Sequence, residues 1–260
     1  MMSEAVPMKK ILVIHNPGSG DENHSKENLL QLFGTFSEEV NYVSTEEEDW
    51  EDSCGSGAET IFVAGGDGTV RKVAKWLIGN QKPNQELPPL GLLPLGTANN
   101  IAETLGLPYK ENLAEPDPFK ERVPFDIGRI KGLQENFFME SVGAGIFPEL
   151  LSLDEEEEIE GITPEAELYN ALRRFRKLVE EYQAREAKIK ADGIKIKGRF
   201  LLVELLNIKF LGPNLPFALQ AEPGDGFFDL VLIPENKSLE LLDYLDRRIE
   251  GREESKDLNF

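Results

Sequence analysis

The first half of the chain alternates between short unbroken apolar runs and apolar stripes at helical spacing. Ile11-Leu12-Val13-Ile14, Ile61-Phe62-Val63-Ala64 and Leu90-Gly91-Leu92-Leu93 each stop at a cluster of turn residues. Uninterrupted runs of this kind are how strands buried on both faces of a parallel sheet read. Leu29, Leu30, Leu32, Phe33 and Phe36 follow Ser25, and Val70, Val73, Ala74, Leu77 and Ile78 follow Thr69, so a helix is predicted after each of those points. Residues 40–43 predict a further strand. A link at 44–59 joins it to the strand at Thr60 and is long enough for a parallel crossover; its acidic part, 46–52, reads as a solvated face. A short helix after the third run stops near Leu105, ahead of Gly106 and Pro108. Strand and helix in alternation predict a parallel sheet covered by helices.

The pattern changes near residue 112. Pro116 and Pro118 punctuate a linker, and residues 123–130 and 137–142 then read as strands with no helix between them. An acidic run at 154–160 is a solvated loop or helix start. Thr163-Pro164-Glu165 offers an N-cap with proline in the first turn, and Leu168, Leu172, Phe175, Leu178, Val179 and Tyr182 line one face of a long helix near 164–186. Residues 187–190, 193–197 and 199–206 alternate like antiparallel strands around a turn at Asp192-Gly193. A loop-rich stretch at 207–220, a strand at 227–233 and a helix at 238–249 complete the reading. The predicted architecture is α/β, with a parallel-sheet domain over 1–120 followed by a mainly antiparallel β domain over 121–260.

Composition narrows the function. The chain has 260 residues and a net charge of −20, from 48 acidic and 28 basic side chains, which argues against nucleic-acid binding by its body. One local exception stands out: residues 171–199 hold ten basic side chains against four acidic ones. Such a segment either faces anionic lipid or is the ordinary solvated side of an amphipathic helix. Cys54 is the single cysteine, so no intrachain disulfide is expected. Neither the N-terminal residues nor the apolar stretch 200–210, broken by Glu204, Asn207 and Lys209, resembles a secretory signal or a membrane span. The expectation is a cytoplasmic chain that touches membranes only peripherally. Its oligomeric state is left open.

Candidate chemistry sits in the loops after the three apolar runs. Loops after parallel strands gather at one edge of the sheet, so 16–20, 65–69 and 96–100 can converge on a single ligand. Gly65, Gly66 and Gly68 lack Cβ atoms and let an anion lie against bare N–H groups, with positive φ available to them, at the start of a helix that opens at Thr69. Asp67 in the middle of that turn suits phosphate carried with Mg²⁺ rather than phosphate alone. His15 and His24, the only histidines, form no recognisable metal cluster or triad and read as bland. Asp225 and Asp229 read by themselves as turn residues.

Asn16-Pro17-Gly18-Ser19-Gly20, Gly65-Gly66-Asp67-Gly68-Thr69-Val70 and the segment from Leu92 to Ala102 together resemble motifs of the diacylglycerol kinase catalytic-domain family, which includes sphingosine kinase-like and small bacterial lipid kinases. Phe125-Asp126-Ile127-Gly128, Ser141-Val142-Gly143-Ala144-Gly145 and Asp225-Gly226-Phe227-Phe228-Asp229 are similar to its weaker second-domain motifs. The resemblance implies a nucleotide-binding first domain, a lipid-holding second domain, ATP and Mg²⁺, and transfer of the γ-phosphoryl group to a lipid hydroxyl, diacylglycerol becoming phosphatidic acid. It implies that Asn16, Ser19, Gly20, Gly65, Gly66, Gly68, Thr69, Gly96 and Thr97 hold the nucleotide, that Asp67 reaches the metal, and that Asp225 orients the acceptor or takes its proton. Asn100 departs from the family pattern, which carries aspartate there, and the chain ends at Phe260 without the family's later strands. An NAD kinase-like enzyme shares the GGDGT loop, and a catalytically weak nucleotide-binding regulatory protein would keep the loops without turnover.

Overall fold

The computed structural model describes residues 10–20, 24–33, 39–107, 122–133, 135–154 and 163–252. Phe36, the linker prolines, the acidic run beyond Asp154 and the tail lie outside them. The chain divides into two units, Met1–Arg122 and Val123–Phe260.

The first unit is built on four parallel strands, β1 (Ile11–His15), β2 (Val40–Ser44), β3 (Thr60–Gly65) and β4 (Leu90–Pro94), in the order β2-β1-β3-β4. Every residue of β1 and β3 is buried, as their unbroken apolar runs require. Helices α1 (Lys26–Phe33), α2 (Asp67–Asn80) and α3 (Asn100–Thr104) follow β1, β3 and β4. Phe33 of α1 lies on Phe62 of β3, ring centroids 4.5 Å apart. The chain runs outward one way from β1 to β2 and the other way from β1 through β3 to β4, so the order reverses between β1 and β3. A crevice at such a reversal is where open α/β sheets bind ligands.

Two local expectations change here. Helix α2 starts at Asp67, two residues before Thr69, because Gly66 already takes the extended N-cap conformation. The acidic link also contains a 3₁₀ turn, Trp50–Gly55, which buries Trp50 and Cys54. Burial pushes the Cys54 thiol up to about 11, so it stays protonated and unreactive.

In the second unit a three-strand antiparallel path, β7 (Ser141–Gly145), β9 (Ile194–Leu206) and β10 (Asp229–Pro234), is joined by β8 (Arg185–Ala191) pairing with β9. A small antiparallel pair, β5 (Gly128–Arg129) with β6 (Phe137–Phe138), stands apart. Helices α4 (Ile146–Asp154), α5 (Pro164–Glu181) and α6 (Ser238–Ile249) supply Phe147, Leu150, Phe175, Val179, Leu241 and Leu245 to a core shared with Leu202 and Leu206 of β9. Thr163 caps α5 by accepting from the Ala166 N–H, with proline in the first turn, as the sequence predicts. Arg176 of α5 donates to both carboxylate oxygens of Asp246 on α6. The strands expected at 193–197 and 199–206 are one continuous strand, because Gly198 pairs with Ala187 without interrupting the ladder. The long strand expected at 123–130 shrinks to the two residues of β5, and α4, absent from the sequence reading, takes the chain out of β7.

One core residue carries a pH dependence. Glu204 of β9 is 4% exposed, and its Oε2 atom finds no hydrogen-bond partner in the space that a side chain on Gly143 would fill. Burial holds its carboxyl up at about 7, opposed by a hydrogen bond with Ser141. Between the unfolded value of about 4.3 and the folded one, the native state keeps a proton that the unfolded chain has released, so stability falls as pH rises through that window. The loss amounts to about 4 kcal/mol. Glu204→Gln removes the titration, so its advantage over wild type in denaturant unfolding should grow by that amount between mildly acidic and mildly alkaline pH. An advantage independent of pH would show that Glu204 is ionised in the fold.

Candidate active site

The loops that leave β1, β3 and β4 meet at the carboxyl edge of the first sheet. Asn16 N–H donates to Ala64 O at 2.9 Å, and Leu95 N–H to Gly65 O at 3.2 Å, tying each outer loop to β3. The contact between the second and third loops is a glycine on a glycine: a Cβ on Gly66 would lie 3.1 Å from Gly96 Cα, and one on Gly65 2.7 Å from Thr69 Oγ1. The sequence reading offers positive φ as a reason for these glycines. Gly66 is extended, with φ −88°, and neither Gly65 nor Gly68 has positive φ, so close approach is what requires the first two. Gly68 has open space on its Cβ side, leaving the first turn of α2 bare. Gly20 does take φ +65°, and a side chain there would run into Leu95 O.

Most polar side chains of the cradle build it. Asn16 Nδ2 donates to Thr69 Oγ1 (3.2 Å), Thr45 Oγ1 donates to Asn16 Oδ1 (3.3 Å), and Ser19 Oγ donates to Asn16 O (2.8 Å). Thr97 is half-buried in the third loop. Asn99, which the sequence reading passed over, sits at φ +53° and folds back on Gly96, accepting from its N–H at 2.9 Å and donating to its carbonyl at 2.5 Å. Its signal was present in the quoted segment: asparagine tolerates the left-handed region and bonds its own loop.

Asp67 joins the second loop to the third. Its two carboxylate oxygens accept the backbone N–H groups of Asn100 (2.7 Å) and Ile101 (3.0 Å) at the start of α3. Burial raises its pKa, and these two bonds pull the other way. Among the described residues no group of three His, Cys, Asp or Glu side chains could cage a metal. Asp67 with its remaining lone pairs therefore fits a Mg²⁺ whose other ligands are phosphate and water, the usual arrangement for that ion, and does not fit an all-protein site.

The two histidines are a structural device behind the first loop, not bland surface residues. His15 is buried, with Nδ1 2.6 Å from Tyr42 Oη and Nε2 2.6 Å from His24 Nδ1. His24 Nε2 donates to Ser19 O at 2.9 Å, since a carbonyl only accepts. Burial, with His24 beside it, lowers the His15 pKa to about 4, so its ring stays neutral. The spacing of two histidines in sequence gives no hint of this chain, which depends on β2 lying beside β1.

Asp225 belongs to the second unit and to a separate construction. It is exposed at the tip of Pro223-Gly224-Asp225-Gly226, where Gly224 and Gly226 both have positive φ and Asp225 Oδ1 accepts from Phe227 N–H at 2.8 Å. Asp126 Oδ2 accepts from Gly224 N–H (3.1 Å) and Gly226 N–H (2.7 Å), clasping the turn. Buried Asn207 in turn donates to the carbonyls of Asp126 and Met139. Asp126 lies in the Phe125-Asp126-Ile127-Gly128 motif, whereas Asn207 shows in the sequence only as a polar break in an apolar stretch. Burial and the charge of Asp225 both raise the pKa of Asp229.

Residues 10–130 match the family model of the diacylglycerol kinase catalytic domain. A curated diacylglycerol kinase from Bacillus subtilis is 26% identical over 249 residues, which cover 90% of this chain and 77% of that protein. A Pseudomonas aeruginosa protein described as a probable lipid kinase, YegS-like, is 27% identical over 184 residues, covering 71% of this chain and 57% of its own length. The chain therefore spans little more than half of that second relative. The crystal structure of a diacylglycerol kinase from Bacillus anthracis superposes with a TM-score of 0.66 over 92% of this chain and 78% of that one, at 23% identity; this likeness speaks for the fold.

Proposed function

We propose that this chain, a member of the diacylglycerol kinase catalytic-domain family, transfers the γ-phosphoryl group of ATP to the hydroxyl of a lipid, with diacylglycerol as the acceptor and phosphatidic acid as the product. The observation that carries the reading is the glycine-on-glycine contact of Gly66 with Gly96, which holds two of three loops together at the order reversal of a parallel sheet. A cradle of backbone N–H groups at a helix start favours a polyphosphate. Loops 16–20, 65–69 and 96–100 would receive the ATP phosphates, with the bare first turn of α2 and the hydroxyls of Thr69 and Thr97 as donors. Mg²⁺, when bound, neutralises charge on the β- and γ-phosphates, and Asp67 is the residue that would hold it.

In the transfer, the lipid oxygen bonds to the γ-phosphorus as the bond from that phosphorus to the β–γ bridging oxygen breaks, and ADP departs. The hydroxyl proton goes to the Asp225 carboxylate. Little covalent work is asked of the protein in so loose a transition state; positioning and charge are what it supplies. The test is the product pattern from γ-labelled ATP and a total lipid extract. Label in phosphatidic acid is expected. Label in NADP⁺ when NAD⁺ is the sole acceptor, with none in lipid, would favour the NAD kinase-like reading, and no label in either would favour a regulatory nucleotide binder.

A further inference from the structure

The basic segment 171–199 divides in the structure into two parts with different fates. On α5 the basic residues serve the fold: Leu172, Phe175 and Val179 are buried, Arg176 bridges Asp246 and Glu180, and Arg173 lies over the Tyr169 ring. The helix is the ordinary amphipathic one. The β8–β9 hairpin is different. Strand β10 pairs with β9 only from Phe200 onward and β7 only from Leu202 onward, so among the described residues the hairpin from Ala187 to Gly198 is a ribbon of two strands with no third beside it.

Register sorts the side chains of that ribbon. Lys188 pairs with Lys197 and Lys190 with Lys195, directly across the ladder, while Ile189 pairs with Ile196 and Ala191 with Ile194 on the opposite face. All four lysines are exposed. Lys197 reaches Glu186 at 3.0 Å; among the described residues Lys188, Lys190 and Lys195 make no ion pair. Like charges set directly opposite destabilise a ribbon, and a two-stranded ribbon has little stability to spare. The arrangement opposes folding in the free protein and is relieved by an anionic surface. The tip carries the second feature: Ile194 is 65% exposed next to the turn at Asp192 and Gly193, both with positive φ.

We propose that this ribbon is the element by which the protein docks on an anionic lipid bilayer, entering tip first so that the four lysines along one face reach headgroup phosphates while Ile194, on the other face beside the turn, enters the boundary between headgroups and acyl chains. Charge complementarity selects an anionic surface, since a body carrying the remainder of a −20 charge is repelled everywhere else. The exposed isoleucine selects lipid over nucleic acid, which offers no apolar phase at its surface. Lysine stems can run along the apolar boundary while their ammonium groups stay among the phosphates. A basic residue near such a surface changes partitioning about fivefold, so the four together contribute on the order of several hundredfold, screened by salt.

The experiment is co-sedimentation of the full chain, without ATP, with phosphatidylcholine vesicles containing about one third phosphatidylglycerol. Binding is expected at low salt, with loss at high salt and on pure phosphatidylcholine. Lys188→Gln, Lys190→Gln, Lys195→Gln and Lys197→Gln together should reduce partitioning on the order of a hundredfold or more while raising or preserving the melting temperature, because the like-charge pairs disappear. Ile194→Ser alone should weaken it severalfold. Arg173→Gln with Lys177→Gln on α5 should change it little. Unchanged binding by the quadruple variant, equal binding to neutral vesicles, or binding of an oligonucleotide in place of vesicles would overturn the proposal. Turnover does not enter the measurement, so failure of the kinase reading is seen separately, in the lipid-labelling assay.

Discussion

Asp67→Asn is expected to lower kcat by a factor of about 10³ or more with a smaller loss of melting temperature than Asp67→Ala, which should lower both. The distinction follows from the two bonds that the carboxylate accepts from Asn100 and Ile101 N–H groups. Asparagine keeps one acceptor oxygen for the start of α3, leaves the other N–H facing its own NH₂, and loses the charge that would hold a metal-bound phosphate. Alanine leaves both N–H groups without their partner beneath the third loop, at a cost of about 1–3 kcal/mol. In the proposed reaction the Asp67 carboxylate thus has two tasks, one in the chemistry and one in holding the cradle shut, and the pair of variants weighs them against each other. Isothermal unfolding and single-turnover phosphoryl transfer, run on the same preparations, provide the two readouts. Wild-type turnover by Asp67→Asn at ordinary Mg²⁺ would remove Asp67 from the metal assignment and leave it the structural task alone.

The second large effect concerns the acceptor side. Asp225→Asn should reduce kcat by a factor on the order of 10² to 10⁴ with little change in Mg-ATP affinity. Asparagine can still accept the Phe227 N–H that Asp225 Oδ1 now receives, and Asp126 continues to clasp the flanking glycines, so the turn keeps its shape and only the base is lost. A carboxylate suffices for this, because a loose phosphoryl transfer removes the acceptor proton late. Should the variant instead lose Mg-ATP binding with the chemical step intact, Asp225 belongs with the metal, and the roles given to the two units would be exchanged at that position.

Much of this was legible in the chain because it depends on neighbours in sequence. The unbroken apolar runs of β1 and β3, the Thr163 cap of α5 and the Asp192-Gly193 turn follow from local chemistry that a reader can check residue by residue. The three loops could be placed at one edge because parallel strands leave no other choice. What misled was also local: α2 starts two residues early because Gly66 takes the N-cap conformation, and α4 lies in an apolar segment whose short length suits strand or helix equally.

The sequence by itself determined which residues line the three-loop cradle, since glycine, threonine and the strand–turn–helix order are one-dimensional features, and its motifs in order carry the resemblance to the diacylglycerol kinase catalytic domain. Only the tertiary structure decided what those residues do. Gly66 is required by Gly96, thirty positions away in the chain, and not by its own φ. His15 became a loop support because β2 brings Tyr42 beside it. The lysines of the hairpin became a single charged face because antiparallel register puts Lys188 opposite Lys197 and Lys190 opposite Lys195. In each case the deciding interaction joins residues that sequence separates, and its energy exists only once the chain has closed the loop between them.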